Sequence, residues 1–193
     1  MIIDNNNVLG ESPLWNHMNQ TFYWVDINAN KIKSMSDHII TEYILDKKPT
    51  CLYLLDSNKM VVALEDGMGI YDYRINKFIY LKKIDDINVR CNDGKCDRNG
   101  NIYIGTMDKN ENDNIGHIYK FNGTDFEIIK DNICISNGLA FNSDNKMYGC
   151  DSFKKEIFTI ENEKETIINT YSDVNPDGAT IDEMDNYYSC LWG

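Results

Sequence analysis

The side chains best suited to chemistry in this chain are spread widely along it: Glu11, Arg90, Asn92, Asn137 and Asp177. Two carboxylates with one or two amide oxygens make a hard, all-oxygen donor set. Such a set suits Ca²⁺, Mg²⁺ or Mn²⁺, and Zn²⁺ when fewer ligands are used. Six cysteines (Cys51, Cys91, Cys96, Cys134, Cys150 and Cys190) offer a softer, competing chemistry. They form no C-x-x-C pair, and Cys91 and Cys96 need partners to hold zinc that the distant histidines do not supply in sequence. The start, "MIIDNNNVLGESP", has no basic or apolar leader region, so no signal peptide is expected. The thiols are then expected to be reduced and packed in apolar surroundings, in a cytoplasmic protein.

For these scattered residues to act together, a fold must gather them. The chain has 193 residues with 42% hydrophobic and 11% aromatic content, enough for one globular domain with a core. Its formal net charge of −12 argues against nucleic acid and anionic membrane surfaces, which need a basic footprint. No apolar run is long enough to span a bilayer. Short aromatic and β-branched runs dominate: "TFYWVDI", "KMVVALED", "NIYIGTM", "KMYGCDS" and "NYYSCLW". Each follows an apolar segment and a polar turn.

Anchoring these units on Leu14, Leu52, Lys95, Leu139 and Ala179 gives spacings of 38, 43, 44 and 40 residues. A period near forty built of antiparallel strands is the mark of a β-propeller, with one four-stranded blade per repeat. Second hairpins follow four of the anchors, as in "GIYDYRINKFIYL" and "GHIYKFNGTDFEII". The expectation is an all-β propeller domain over residues 1–193, with about four and a half blades. Inner strands line the channel of a propeller, so residues just before them crowd one mouth. Glu11 and Asn92 each lie three residues before an anchor, and Asn137 and Asp177 two before. The repeat alone therefore predicts that these four converge. Asp26 and Asp151, each ending a second strand, are expected to be turn or cap residues. Trp15, Trp24 and Trp192 are expected to pack blades.

Taken one at a time, Asn-Gly and Asp-Gly pairs such as 93–94, 137–138 and 177–178 read as turns, because these residues tolerate positive φ. Taken in order, "GESPLW", "RCNDGKCDRNGNIYIGTM", "ISNGLAFNSDNKMYGCDS" and "NPDGATIDEMDNYYSCLWG" resemble the SMP-30/gluconolactonase/regucalcin family. The resemblance covers essentially the whole chain. It implies a six-bladed propeller of which the end of blade five and all of blade six are missing here. It also implies a metal-dependent lactonase acting on a small sugar lactone. Glu11, Asn137 and Asp177 match the family's metal ligands, and Arg90 and Asn92 its substrate-contacting positions. Asp177 is then both ligand and the carboxylate that activates water. An acidic substrate contact after "GTM" falls on Asp108 or Glu111. The cofactor implied is one divalent ion, Ca²⁺ first, with Zn²⁺, Mn²⁺ or Mg²⁺ as alternatives. A non-catalytic calcium-binding or regulatory protein, or an inactive fragment, is the alternative on the same scaffold.

Overall fold

The computed structural model describes residues 6–193. Four consecutive antiparallel meanders follow one another in chain order. The first contains β1 (Gly10–Asn16), β2 (Thr21–Asp26), β3 (Lys31–Ser36) and β4 (Ile39–Ile44). The second contains β5 (Pro49–Leu54), β6 (Lys59–Leu64), β7 (Gly67–Asp72) and β8 (Lys77–Lys83). The third contains β9 (Val89–Cys96), β10 (Ile102–Asp108), β11 (Gly116–Phe121) and β12 (Phe126–Ile133). The fourth contains β13 (Ser136–Phe141), β14 (Met147–Asp151), β15 (Glu156–Glu161) and β16 (Lys164–Thr170). A two-stranded sheet, β17 (Asn175–Ile181) and β18 (Tyr187–Trp192), completes the series. All five anchors sit on the first strand of a sheet, as the repeat predicts. Among the described residues, no helix is long and apolar enough to cross a membrane.

Backbone contacts divide the chain into two compact units, Met1–Lys83 and Ile84–Gly193. In the first, Tyr23, Val25, Ile32, Leu52, Met60, Val62 and Tyr71 form one buried cluster. In the second, Ile118, Ile133, Leu139, Phe141, Met147 and Phe158 do the same. These are alternate positions of facing strands, so period-two patterning places them on one face. In the fourth blade burial falls from the first strand to the last: β13 is buried at every position, whereas β16 is exposed at every position.

The link between strands one and two of each sheet is the same in all five repeats. An Asn or Asp ends the first strand or follows it, and its Oδ1 accepts backbone N–H bonds from two to four residues ahead. Asn16 takes Met18, Asp56 takes Asn58 and Lys59, Asp97 takes Asn99 and Asn101, Asn142 takes Asp144 and Lys146, and Asp182 takes Met184 and Asn186. Such Asx turns satisfy backbone donors that a tight reversal would otherwise leave open. "DRNGN" is therefore the third blade's copy of a repeated turn.

Aspartates that end second strands close the blades from the other side. Asp26 accepts the N–H groups of Val8 and Leu9, and Asp151 those of Cys134, Ile135, Phe153 and Lys154. Both are buried and structural, as expected. The tryptophans divide: Trp24 is buried, but Trp15 and Trp192 are 51% and 56% exposed. Blade packing therefore accounts for Trp24 alone. Alternation along β1 turns Trp15 outward, and Trp192 stands on the last strand of a two-stranded sheet.

Candidate functional site

The predicted site residues do not precede their strands; they lie inside them, at β-bulges. In β13, Asn137 pairs with Cys150 and Ala140 with Tyr148, so Gly138 and Leu139 together face Gly149. In β17, Asp177 and Gly178 together face Cys190. In β9, Asn92 and Asp93 together face Gly105. In β1, Ser12 and Pro13 follow Glu11 and face Trp24. A bulge adds one residue, bends the strand and re-aims the side chains beside it. Each inner strand thus carries its polar residue at a point where the ladder is interrupted. The second blade has the bulge too, at Thr50, but Thr50 is buried and its Oγ1 bonds the Ala63 carbonyl.

Glycine is required at Gly138, which has φ +64°. A Cβ there would come within 2.9 Å of the Asp177 carbonyl oxygen. Gly94 and Gly178 are not left-handed, so the turn explanation for their Asp-Gly pairs fails in this fold. Gly105, opposite the β9 bulge, lets β13 approach: a Cβ would lie 2.1 Å from Ser136 Oγ.

In the second unit, β9, β13 and β17 lie side by side and bring four of the five predicted residues together. Arg90 Nη1 donates to Asn92 Oδ1 at 2.9 Å. Asn92 Nδ2 donates to Asn137 Oδ1 and to the Ser136 carbonyl, both at 3.0 Å. Asn137 Nδ2 donates to Ser152 Oγ at 2.9 Å, and Ser152 Oγ donates to the Pro176 carbonyl at 2.6 Å. The chain ends beside Asp177, whose own carbonyl accepts the Cys150 thiol at 3.6 Å. Glu11 occupies the equivalent register of β1 in the first unit.

The electrostatics of this cluster are distinctive. Burial raises the Asp177 carboxyl above the usual carboxylate range, against one opposing bond from the Gly178 N–H. Burial likewise raises Asp93, and the Asp177 charge adds to it, against bonds from the Leu139 and Gly94 N–H groups. Burial, with the charges of Asp93, Asp177 and Asp151, pushes the Cys150 thiol well up, so it stays protonated. A cation would relieve this concentration of negative charge. Asn137 Oδ1 accepts from Asn92 and, as a carbonyl oxygen, has a second lone pair. An amide oxygen and a desolvated carboxylate on neighbouring bulges fit a hard divalent cation. Among the described residues, no three His, Cys, Asp or Glu side chains cluster as a metal set, so such a site would rely on amide oxygen.

Asp108 and Glu111 separate clearly. Asp108 is buried, and the N–H groups of Asn112, Asp113 and Asn110 hold its carboxyl below the usual range. It is a loop organiser. Glu111 is exposed. Cys91 is buried, and burial pushes the Cys96 thiol up to about 11, so both are packing thiols. Asp93 and Ser152 were not singled out from sequence. Asp93 is hidden in an ordinary Asp-Gly pair, and Ser152 gains its place only through the pairing of β14 with β13.

Comparisons with known proteins agree with this fold. The chain is 27% identical to an L-arabinolactonase of Azospirillum brasilense over 210 residues, covering 100% of this chain and 70% of the relative. Its fold matches a calcium-binding protein, regucalcin, of Agrobacterium tumefaciens with a TM-score of 0.91 at 21% identity, covering 97% of this chain and 68% of the other. It matches a luciferin-regenerating enzyme with a TM-score of 0.89 at 27% identity, covering 96% and 70%. The sheets are blades of a β-propeller. With a family profile matching residues 9–193, the chain belongs to the SMP-30/gluconolactonase/LRE-like family.

Proposed function

We propose that this chain hydrolyses a small sugar lactone with the help of one divalent cation, Ca²⁺ first. The observation that carries the reading is the ordered hydrogen-bond chain from Arg90 through Asn92 to Asn137, set beside the half-buried Asp177 carboxylate. The family's lactonase-named members support the reaction class. Asn137 and Asp177 would hold the cation, and Glu11 is the further ligand that the family resemblance implies. When bound, it would supply Lewis-acid polarisation of the lactone carbonyl.

The chain's own residues divide the remaining work. Asp177, desolvated and raised in pKa, takes a proton from the attacking water. Arg90 directs its guanidinium at sugar hydroxyls and helps bear developing oxyanion charge. Asn92 has a narrower role than a general hydroxyl clamp. Both of its donor hydrogens are committed, to Asn137 and Ser136, so it meets substrate only through Oδ1 as an acceptor. Of the two candidates Asp108 and Glu111, Glu111 is the one exposed for a substrate contact.

The calcium-binding name of the Agrobacterium relative favours a second reading, a calcium binder without turnover. Both readings use the same ligands. They part in an assay of D-glucono-δ-lactone hydrolysis with Ca²⁺, Mn²⁺, Mg²⁺ or Zn²⁺ and with chelator. Turnover that chelator abolishes and metal restores is expected. Calcium binding with no turnover under any metal would establish the second reading instead.

A further inference from the structure

Ser152 follows β14, is 2% exposed, and has no part in the reaction described above. Its hydroxyl has one hydrogen, and the Pro176 carbonyl, which only accepts, takes it. Ser152 Oγ must therefore be the acceptor for Asn137 Nδ2. At the far end, the Arg90 guanidinium only donates, so Asn92 Oδ1 faces it and Asn92 Nδ2 faces Asn137. A donor-only group at one end and an acceptor-only group at the other leave one self-consistent direction for every bond between. Both amides are thereby assigned from the network.

We propose that Ser152 is a positioning residue that locks the Asn137 side-chain amide with its oxygen, not its nitrogen, presented toward Asn92 and the cation. The role as a ligand orienter rests on the metal-dependent reading above. A turned amide would aim an N–H at the cation and would face Asn92 donor to donor. Ligands are commonly held in orientation by a neighbour that bonds their other polar atom. Here that neighbour is a buried hydroxyl from the turn that follows the adjoining strand.

The test uses the full chain in four forms: parent, Ser152→Ala, Asn137→Asp, and the double variant. Calcium affinity is measured by calorimetry. Ser152→Ala in the parent should weaken binding about tenfold, the scale of leaving a buried donor unsatisfied. In Asn137→Asp the two oxygens are equivalent, so orientation no longer matters and Ser152→Ala should cost no further affinity. An equal loss in both backgrounds would reduce Ser152 to ordinary structural support, and no loss in either would also overturn the proposal. A second readout needs no metal. The Asn137 side-chain NH₂ signals, assigned by their absence in Asn137→Asp, should lose hydrogen-exchange protection in Ser152→Ala. If the parent binds no calcium, the metal reading fails by itself. Unchanged NH₂ protection would sink the Ser152 assignment separately.

Discussion

The two ends of the β17–β18 hairpin use the same residue type in opposite ways. At one end Asp182 accepts four bonds: from the N–H groups of Met184 and Asn186, from Asn186 Nδ2 and from the Tyr188 hydroxyl. The Asn186 side chain leads in holding its carboxyl below the usual range. At the other end Asp177 is half buried at a bulge, and burial raises it. The contrast repeats in the third blade, where Asp97 closes an Asx turn and Asp93 sits in the bulge. Residue identity therefore does not mark the aspartates proposed to act. Saturation does: a carboxylate whose lone pairs are spent on its own turn builds structure, and one desolvated with few donors is available for a cation or a proton.

The largest test of this contrast is activity. Asp177→Ala should lower lactone hydrolysis about a thousandfold, within the usual range for losing a general base. Asp182→Asn should leave the rate unchanged. Unchanged turnover in Asp177→Ala with metal present would remove the distinction between the two ends.

Stability should respond with opposite signs. In chelator, Asp177→Asn should raise the melting temperature at neutral pH, because it removes a desolvated charge; Asp182→Asn should lower it. The pH dependence follows. Asp182, lowered in the folded state, stabilises above the unfolded carboxylate range, and that contribution fades as pH falls through its folded value. Asp177, raised in the folded state, does the reverse: its cost appears as pH rises through the unfolded range to its folded value. Melting curves from pH 3 to 7 on both variants would show same-signed changes if the comparison is wrong.

A smaller effect is expected at a neutral turn of the same kind. Asn142→Ala removes the acceptor for the Asp144 and Lys146 N–H groups and should cost about 1 kcal/mol in denaturant unfolding. Lactone turnover should not change. The smallest effect is at sulphur: Cys96→Ser should leave metal affinity within about twofold, since a thiol that stays protonated is an inert packing group. A large loss of metal binding would revive a thiolate site in β9.

The repeat was legible because five copies of an apolar–turn–strand plan leave a period that side chains of any one copy could not. The five inner strands and the structural roles of Asp26 and Asp151 followed from it. The bulges were not legible. Asn137-Gly138 asks for a positive φ in either a turn or a bulge, and only the pairing of β13 with β14 decides between them. Reading Asn137 and Asp177 as lying before their strands, rather than within them, was the direct result. Ser152 was hidden for a related reason. Its value comes from which carbonyl lies across from it, and that carbonyl is twenty-four residues away. Trp15 and Trp192 could not be told from Trp24 because an aromatic residue supports a strand on either face.

The bulge in β13 also means that part of the site is written in chain length. Removing Gly138 alone would set Leu139 opposite Gly149 and restore an unbroken ladder from Asn137 to Phe141. Period-two alternation would then send Asn137 to the face opposite Leu139, taking its amide away from Asn92 and Ser152. A single-codon deletion, with every polar residue still present in the sequence, would produce a tidier strand and a chain without its proposed amide ligand.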